Sequence, residues 1–195
     1  KEYMEQRIDF TRDSILSPGA EHALITGNAT LLRASLDQMK TLNLDASRLV
    51  HSLPGHGGVN YNTDLPGARD AYTELLKYPG VSNLLKSGYL LASGAGIAAI
   101  AAGHSANDDL SEQEKANIQK GHQALAFFMA AQPGLFMVPA HDATGALPPG
   151  WLAKETFSNN VDDEKSLPSG VAILGEKRKS LMSSKGIMAL PSLYP

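Results

Sequence analysis

The residues best placed to do chemistry lie in Arg48-Leu-Val-His-Ser-Leu-Pro-Gly-His-Gly-Gly58. His51 falls inside an apolar run, Leu49 to Leu53, whose length and composition predict a short buried strand. There it reads as a core histidine with its hydrogen bonds satisfied. His56 follows a Pro-Gly break and stands between glycines. Buried strands that end in glycine-rich turns are where α/β folds place ligands, because the backbone can approach closely there. His56 is therefore either a ligand contact or an exposed loop residue. A second pair, His141-Asp142, follows another apolar run, Leu135 to Val138. It can contact a ligand, or Asp142 can cap a turn. His22, His104 and His122 have no metal-ligand spacing to one another and predict no zinc site. There is no G-x-S-x-G nucleophile elbow. The absence of cysteine excludes thiol nucleophiles, disulfides and cysteine-rich metal sites.

The elements that must carry these residues can be read coarsely. A strand is expected around Arg7 to Phe10. Pro18-Gly19 opens a helical pattern in which Ala23, Leu24, Leu31, Leu32, Leu36 and Met39 share a broad face, and Gly27-Asn28 splits it into two helices. A turn spans Asn43 to Ser47, and Gly55 to Pro66 reads as a loop. Gly67 to Lys77 is amphipathic and ends at Pro79-Gly80. Leu84 to Ala102 is small and apolar and is expected to contain a buried helix. Ser111-Glu-Gln-Glu114 is a capping box that opens a long helix to about Ala131. Leu135 to Val138 predicts a second buried strand. From Ala140 onward periodicity fades into loop with short helices, Gly175 to Ser183 being the clearest.

Composition sets the outer limits. A chain of 195 residues, 43% hydrophobic and 19% charged, can bury a real core. Its net charge of -3 gives no basic footprint for nucleic acid. No 18-residue apolar run predicts a membrane span; Leu84 to Gly103 comes closest and is interrupted by Lys86, Ser87 and glycines. The chain opens on Lys1 with charged residues, which suggests a fragment or a processed product. Ser93-Gly-Ala-Gly-Ile-Ala-Ala99 contains G-x-G-x-x-A, but no second strand with an acidic end follows about 20 residues on, as a dinucleotide fold requires. Close helix packing explains it more simply, and no cofactor is expected. Asn28-Ala-Thr30 is a formal glycosylation sequon in a helical region. Glu176-Lys-Arg-Lys179 reads as a solvated helix face. Trp151 and Tyr61 can stack on a sugar ring or pack as core.

The order helix, strand, loop, helices, strand, loop is an α/β rhythm with buried strands. A full (βα)8 barrel needs roughly 250 residues. The expectation is therefore the C-terminal part of a barrel, incomplete in this chain, over residues 1–149, followed by an irregular tail over 150–195. Such a piece leaves strand edges open until something completes it.

The segments also carry a resemblance. Ile25-Thr-Gly-Asn-Ala-Thr-Leu-Leu-Arg33 followed by Leu49-Val-His51 resembles the approach to, and the start of, strand seven in the α-amylase family barrel, in its trehalose-synthase-like branch. Gly121 to Val138 is similar to the helix before strand eight and strand eight of that branch, and Asp142-Ala-Thr-Gly-Ala-Leu-Pro148 resembles the loop after it. The resemblance covers about Ile8 to Leu147. It implies a glycosidase or glucosyltransferase acting on α-glucans or disaccharides. It also implies that His56, His141 and Asp142 are substrate contacts. The family's nucleophile and acid lie on strands four and five, which would precede Lys1, and glycoside cleavage needs both. An Asn-His-Asp triplet ends strand seven in the family. Here the matching positions are Gly55, His56 and Gly57, so the histidine is kept and the carboxylate is lost unless Asp64 or another acid substitutes. The chain alone is expected to be inactive, with no catalytic residue of its own. The implied partners are a carbohydrate and an upstream segment or partner chain that completes the barrel. The alternative is a non-catalytic carbohydrate-binding, structural or assembly subunit derived from the family.

Overall fold

The computed structural model describes residues 9–54, 58–78, 81–104, 110–139, 142 and 167–183. Two apolar strands and the short one before them form a parallel sheet. β1 (Thr11–Arg12) pairs with β2 (Leu49–Ser52), and β2 pairs on its other side with β6 (Leu135–Met137). A second, antiparallel sheet has the order β3 (Val59–Asn60), β5 (Tyr89–Leu90), β4 (Leu85–Lys86). Six α-helices are found among the described residues: α1 (Leu16–Thr26), α2 (Thr30–Thr41), α3 (Ala68–Leu75), α4 (Gly94–Ala101), α5 (Glu112–Ala130) and α6 (Leu167–Ser183). No helix among the described residues is long and apolar enough to cross a membrane.

Local chemistry explains the boundaries. The Asp13 carboxylate accepts hydrogen bonds from the Ile15 and Leu16 amides at 2.8 and 3.1 Å, which satisfies the free donors at the start of α1. Pro18 is tolerated because it lies in the first turn, where no backbone partner is lost. Gly27, in the left-handed region at φ 73°, ends α1. α5 opens on the expected reciprocal bonds between Ser111 and Glu114.

The core is built around α4. Every residue from Gly94 to Ile100 is buried, and the helix packs between α1 and α5. Small residues allow the approach: a Cβ on Gly121 of α5 would stand 3.3 Å from the Ala98 Cβ. This close packing accounts for the G-x-G-x-x-A pattern. β5 does precede α4, but it belongs to an antiparallel hairpin, whereas a dinucleotide fold requires a parallel strand–helix–strand unit there.

Four expectations need correction. Among the described residues the first strand lies at Thr11–Arg12; of the expected span, Arg7 and Ile8 lie outside the described residues, and Asp9 and Phe10 are not in a strand, Phe10 being 47% exposed. The buried helix expected within Leu84 to Ala102 is present as α4, and a hairpin precedes it. Ser87 and Gly88 both have positive φ, 51° and 86°, which is the backbone of a two-residue type I′ turn and folds a short apolar run back on itself. β6 is not buried: Leu135 is 48% and Met137 55% exposed. As an edge strand it has one described neighbour, and alternation turns only Phe136 inward. Finally, the tail helix runs from Leu167, well before Gly175, and packs along α5. Arg178 is not simply solvated. Its guanidinium donates to the carbonyls of Ala130, Gln132 and Gly134 at the C-terminal end of α5, where carbonyls lack intrahelical partners.

Candidate functional site

In sheets of parallel strands the ligand side is the carboxyl end, where the strands deliver their loops. Here that end carries Asp13 after β1, Leu53 and Pro54 after β2, and Val138, Pro139 and Asp142 after β6. His56 and His141, the two histidines expected to contact substrate, lie outside the described residues, as do Gly55, Gly57 and Trp151. Asp142, the third expected contact, is described and is 1% exposed. Its Oδ1 accepts from His122 Nε2 at 3.0 Å and from the Ala95 amide at 3.2 Å. Ser93 Oγ accepts from the Gly96 amide at 3.1 Å beside it. Asp142 and Ser93 thus cap the first turn of α4 together, and Asp142 joins the loop after β6 to α5. Gly94 leaves room for this carboxylate, since a Cβ there would stand 3.0 Å from Oδ1 and would need Asp142 to give by a few tenths of an ångström.

His51 behaves as the sequence predicts for a core histidine. It is fully buried, with Nδ1 2.9 Å from Asp13 Oδ2 and Nε2 2.7 Å from the Pro133 carbonyl oxygen. Both ring nitrogens face acceptors, so the ring and Asp13 share the protons these two bonds need. This bridge crosses the sheet from the end of β1, through β2, to the approach to β6. His22 is also enclosed, with Nε2 3.1 Å from Glu74 Oε2, and ties α1 to α3. Among the described residues no group of three or more His, Asp or Glu side chains is placed to hold a metal ion.

Glu21 is a site the sequence reading missed. It lies four residues before the buried Ile25 on the inner face of α1, and that spacing was the available signal. The side chain is fully buried; Oε1 accepts from Ser17 Oγ at 2.9 Å, and Oε2 has no partner among the described residues. Burial pushes the Glu21 carboxyl well above the usual carboxylate range, opposed by the Ser17 hydrogen bond and the Arg12 charge and reinforced by Asp13. Tyr61, expected as a sugar platform or as core, is core: it is 3% exposed, and burial followed by the Glu21 charge pushes its hydroxyl well above its ordinary value.

Glu21 makes stability pH-dependent. Its folded-state pKa is raised, so above the ordinary value of 4.5 the folded chain keeps a proton that the unfolded chain has lost. Stability is then fully present below that value and declines as pH rises toward the folded-state pKa. Glu21→Gln is expected to flatten this decline, which urea melts between pH 4 and 8 would show. An unchanged slope would mean that Glu21 is not the group responsible.

The Asp13–His51 and Asp142–His122 pairs are enclosed, and they hold loops and helix ends in place. The class so defined is a mixed α/β protein with a small parallel sheet, whose carboxyl-end loops are anchored by buried Asp–His pairs. No protein-family model matches the chain, and neither a curated protein nor a solved structure does.

Proposed function

We propose that residues 1–149 form the strand-six to strand-eight part of an α-amylase-like (βα)8 barrel of the trehalose-synthase-like branch, a piece of an α-glucan- or disaccharide-active glycosidase or glucosyltransferase. One observation carries this reading: β1, β2 and β6 lie side by side and parallel in one sheet, in chain order, with helices in both connections and the small antiparallel sheet inserted in the second. Strands six, seven and eight of a barrel have that order. A closed barrel would extend the sheet past both β1 and β6, and neither has a further strand partner among the described residues. The exposed Leu135 and Met137 side chains would then be covered by the rest of the barrel.

Within this reading His56 and His141 offer imidazoles to sugar hydroxyls. Asp142, held by His122 and Ala95, fixes the start of the loop that follows strand eight. Cleavage needs a carboxylate nucleophile and a carboxylic acid on strands four and five. The chain alone therefore turns over no glycoside, and an upstream segment or partner chain supplies those groups. Gly57, where the resemblance places a third carboxylate, favours a second reading: a non-catalytic carbohydrate-binding, structural or assembly subunit.

A complementation experiment separates these readings. The 195-residue chain is mixed with a strand-one to strand-five segment from a trehalose-synthase-like protein, and turnover of maltose and trehalose is followed. Co-elution on size exclusion, with turnover rising at least tenfold when Gly57→Asp is introduced, is the expected result. Failure to co-elute removes the barrel reading. Co-elution with no turnover in either form leaves the non-catalytic subunit.

A further inference from the structure

Helix α1 places a carboxylic acid where a charge is poorly held. Glu21 is fully buried, Ser17 Oγ donates to its Oε1 at 2.9 Å, and its Oε2 meets no donor among the described residues. The other buried carboxyls among those residues are better bonded. Asp13 receives two backbone amides, and Asp142 receives the Ala95 amide and faces His122. In the interior an ionised group with so few partners costs far more than its neutral form. We infer that Glu21 is a proton-operated latch: protonated, it lets α1 stay seated in the core, and ionised, it drives α1 locally out of that seat while the rest of the fold stands.

The surrounding groups leave Glu21 without a buried cation. From β1 and its end, the Arg12 charge favours the ionised form and Asp13 opposes it. The Arg12 side chain is exposed, so solvent and salt screen its help. Tyr61, after β3, feels the Glu21 charge, which adds to burial in pushing its hydroxyl up. α4 carries no titratable side chain, and the buried side chains of α2 are not titratable. Glu74 of α3 pairs with His22 instead, and His122 on the buried face of α5 is bonded to Asp142. Burial pushes the Glu21 carboxyl up, in keeping with this geometry. The latch is therefore closed below the folded-state pKa and opens as pH rises through it.

Packing defines the part that moves. A Cβ on Gly19 would stand 2.6 Å from the Leu32 Cα, so α1 and α2 meet backbone to backbone and move as a pair. The hydrogen bond that ties α1 to the segment after β3, from the Tyr61 hydroxyl to the Pro18 carbonyl, is long at 3.4 Å. None of these contacts depends on the barrel reading.

The test is amide hydrogen exchange of the intact chain between pH 5 and 9, with and without sub-denaturing urea. Protection of the Glu21 to Ile25 amides should be level at low pH and then fall at least tenfold. Urea should leave that fall unchanged, because a local opening exposes little surface, while it should lower protection in the middle of α5. Glu21→Gln keeps the size of the side chain without its charge and should hold α1 protection level throughout. Ser17→Ala removes a bond that favours the ionised form and should move the fall to higher pH. The inference is overturned if α1 protection does not fall, or if either variant behaves like the parent. It is also overturned if α1 exchange responds to urea as α5 does, since α1 would then open only when the whole chain unfolds.

Discussion

Asp13→Ala should lower the unfolding free energy by about 2–4 kcal/mol, the sum of a lost helix-end cap and a buried group left without its hydrogen-bond partner. The Asp13 carboxylate serves two structures. Oδ1 receives the Ile15 and Leu16 amides that open α1, and Oδ2 faces His51 Nδ1 within the sheet. Alanine frees two amides and leaves a buried imidazole without its acceptor. Loss of the helix-end bonds alone is worth about 1 kcal/mol, so the greater share comes from His51. Asp13→Asn separates the two effects. Its amide oxygen still receives the helix amides, and its NH2 can donate to an unprotonated His51 Nδ1 while Nε2–H keeps the Pro133 carbonyl. Asparagine should therefore cost less than half as much as alanine. Urea denaturation of both variants measures this, and an alanine loss under about 1 kcal/mol would mean that the bridge contributes little.

Asp142→Ala should cost about 3 kcal/mol, with a local signature as well. Asp142 Oδ1 holds both His122 Nε2 and the Ala95 amide. Without it, the first turn of α4 keeps only the Ser93 cap, and a fully buried histidine loses its acceptor. Hydrogen exchange of the Ala95 amide should speed up much more than exchange in the middle of α5. Asp142→Asn retains an acceptor oxygen and should lie between the parent and alanine. Uniform acceleration across α4 and α5, with no excess at Ala95, would argue that Asp142 acts on global stability alone.

Much of this arrangement could be read from residue order. The capping box at Ser111, the break at Gly27-Asn28 and the apolar runs around His51 and Phe136 each follow from a local rule, and each element stands where it was expected. The burial of His51 was also legible, because a histidine inside an apolar strand must find partners. The identity of those partners was not. Asp13 and Pro133 come from distant segments, and only strand pairing brings them to the ring. The hairpin at Ser87-Gly88 was missed because its strands are two residues long, too short for alternation to register. The exposure of β6 was missed for a different reason. An apolar run reports what its side chains prefer, not how many neighbouring strands the fold provides. Asp142 was weighed as a sugar contact or a turn cap, and its buried bond to His122 joins positions 20 residues apart, which no local pattern records.

The pairing of β2 also has a kinetic consequence. One edge of this strand is matched as soon as residue 52 follows residue 11, but the other waits for residue 135. A chain emerging from the ribosome must make α3, the hairpin, α4 and α5 before its central strand is fully paired. Parallel contacts between such distant segments form slowly, and half-built intermediates expose strand edges that can associate with other chains. Yield in expression should thus depend on temperature and on chaperone supply more steeply than final stability would suggest. Slower synthesis at low temperature would favour α5 delivering β6 to its own sheet before a neighbouring molecule's strand does so.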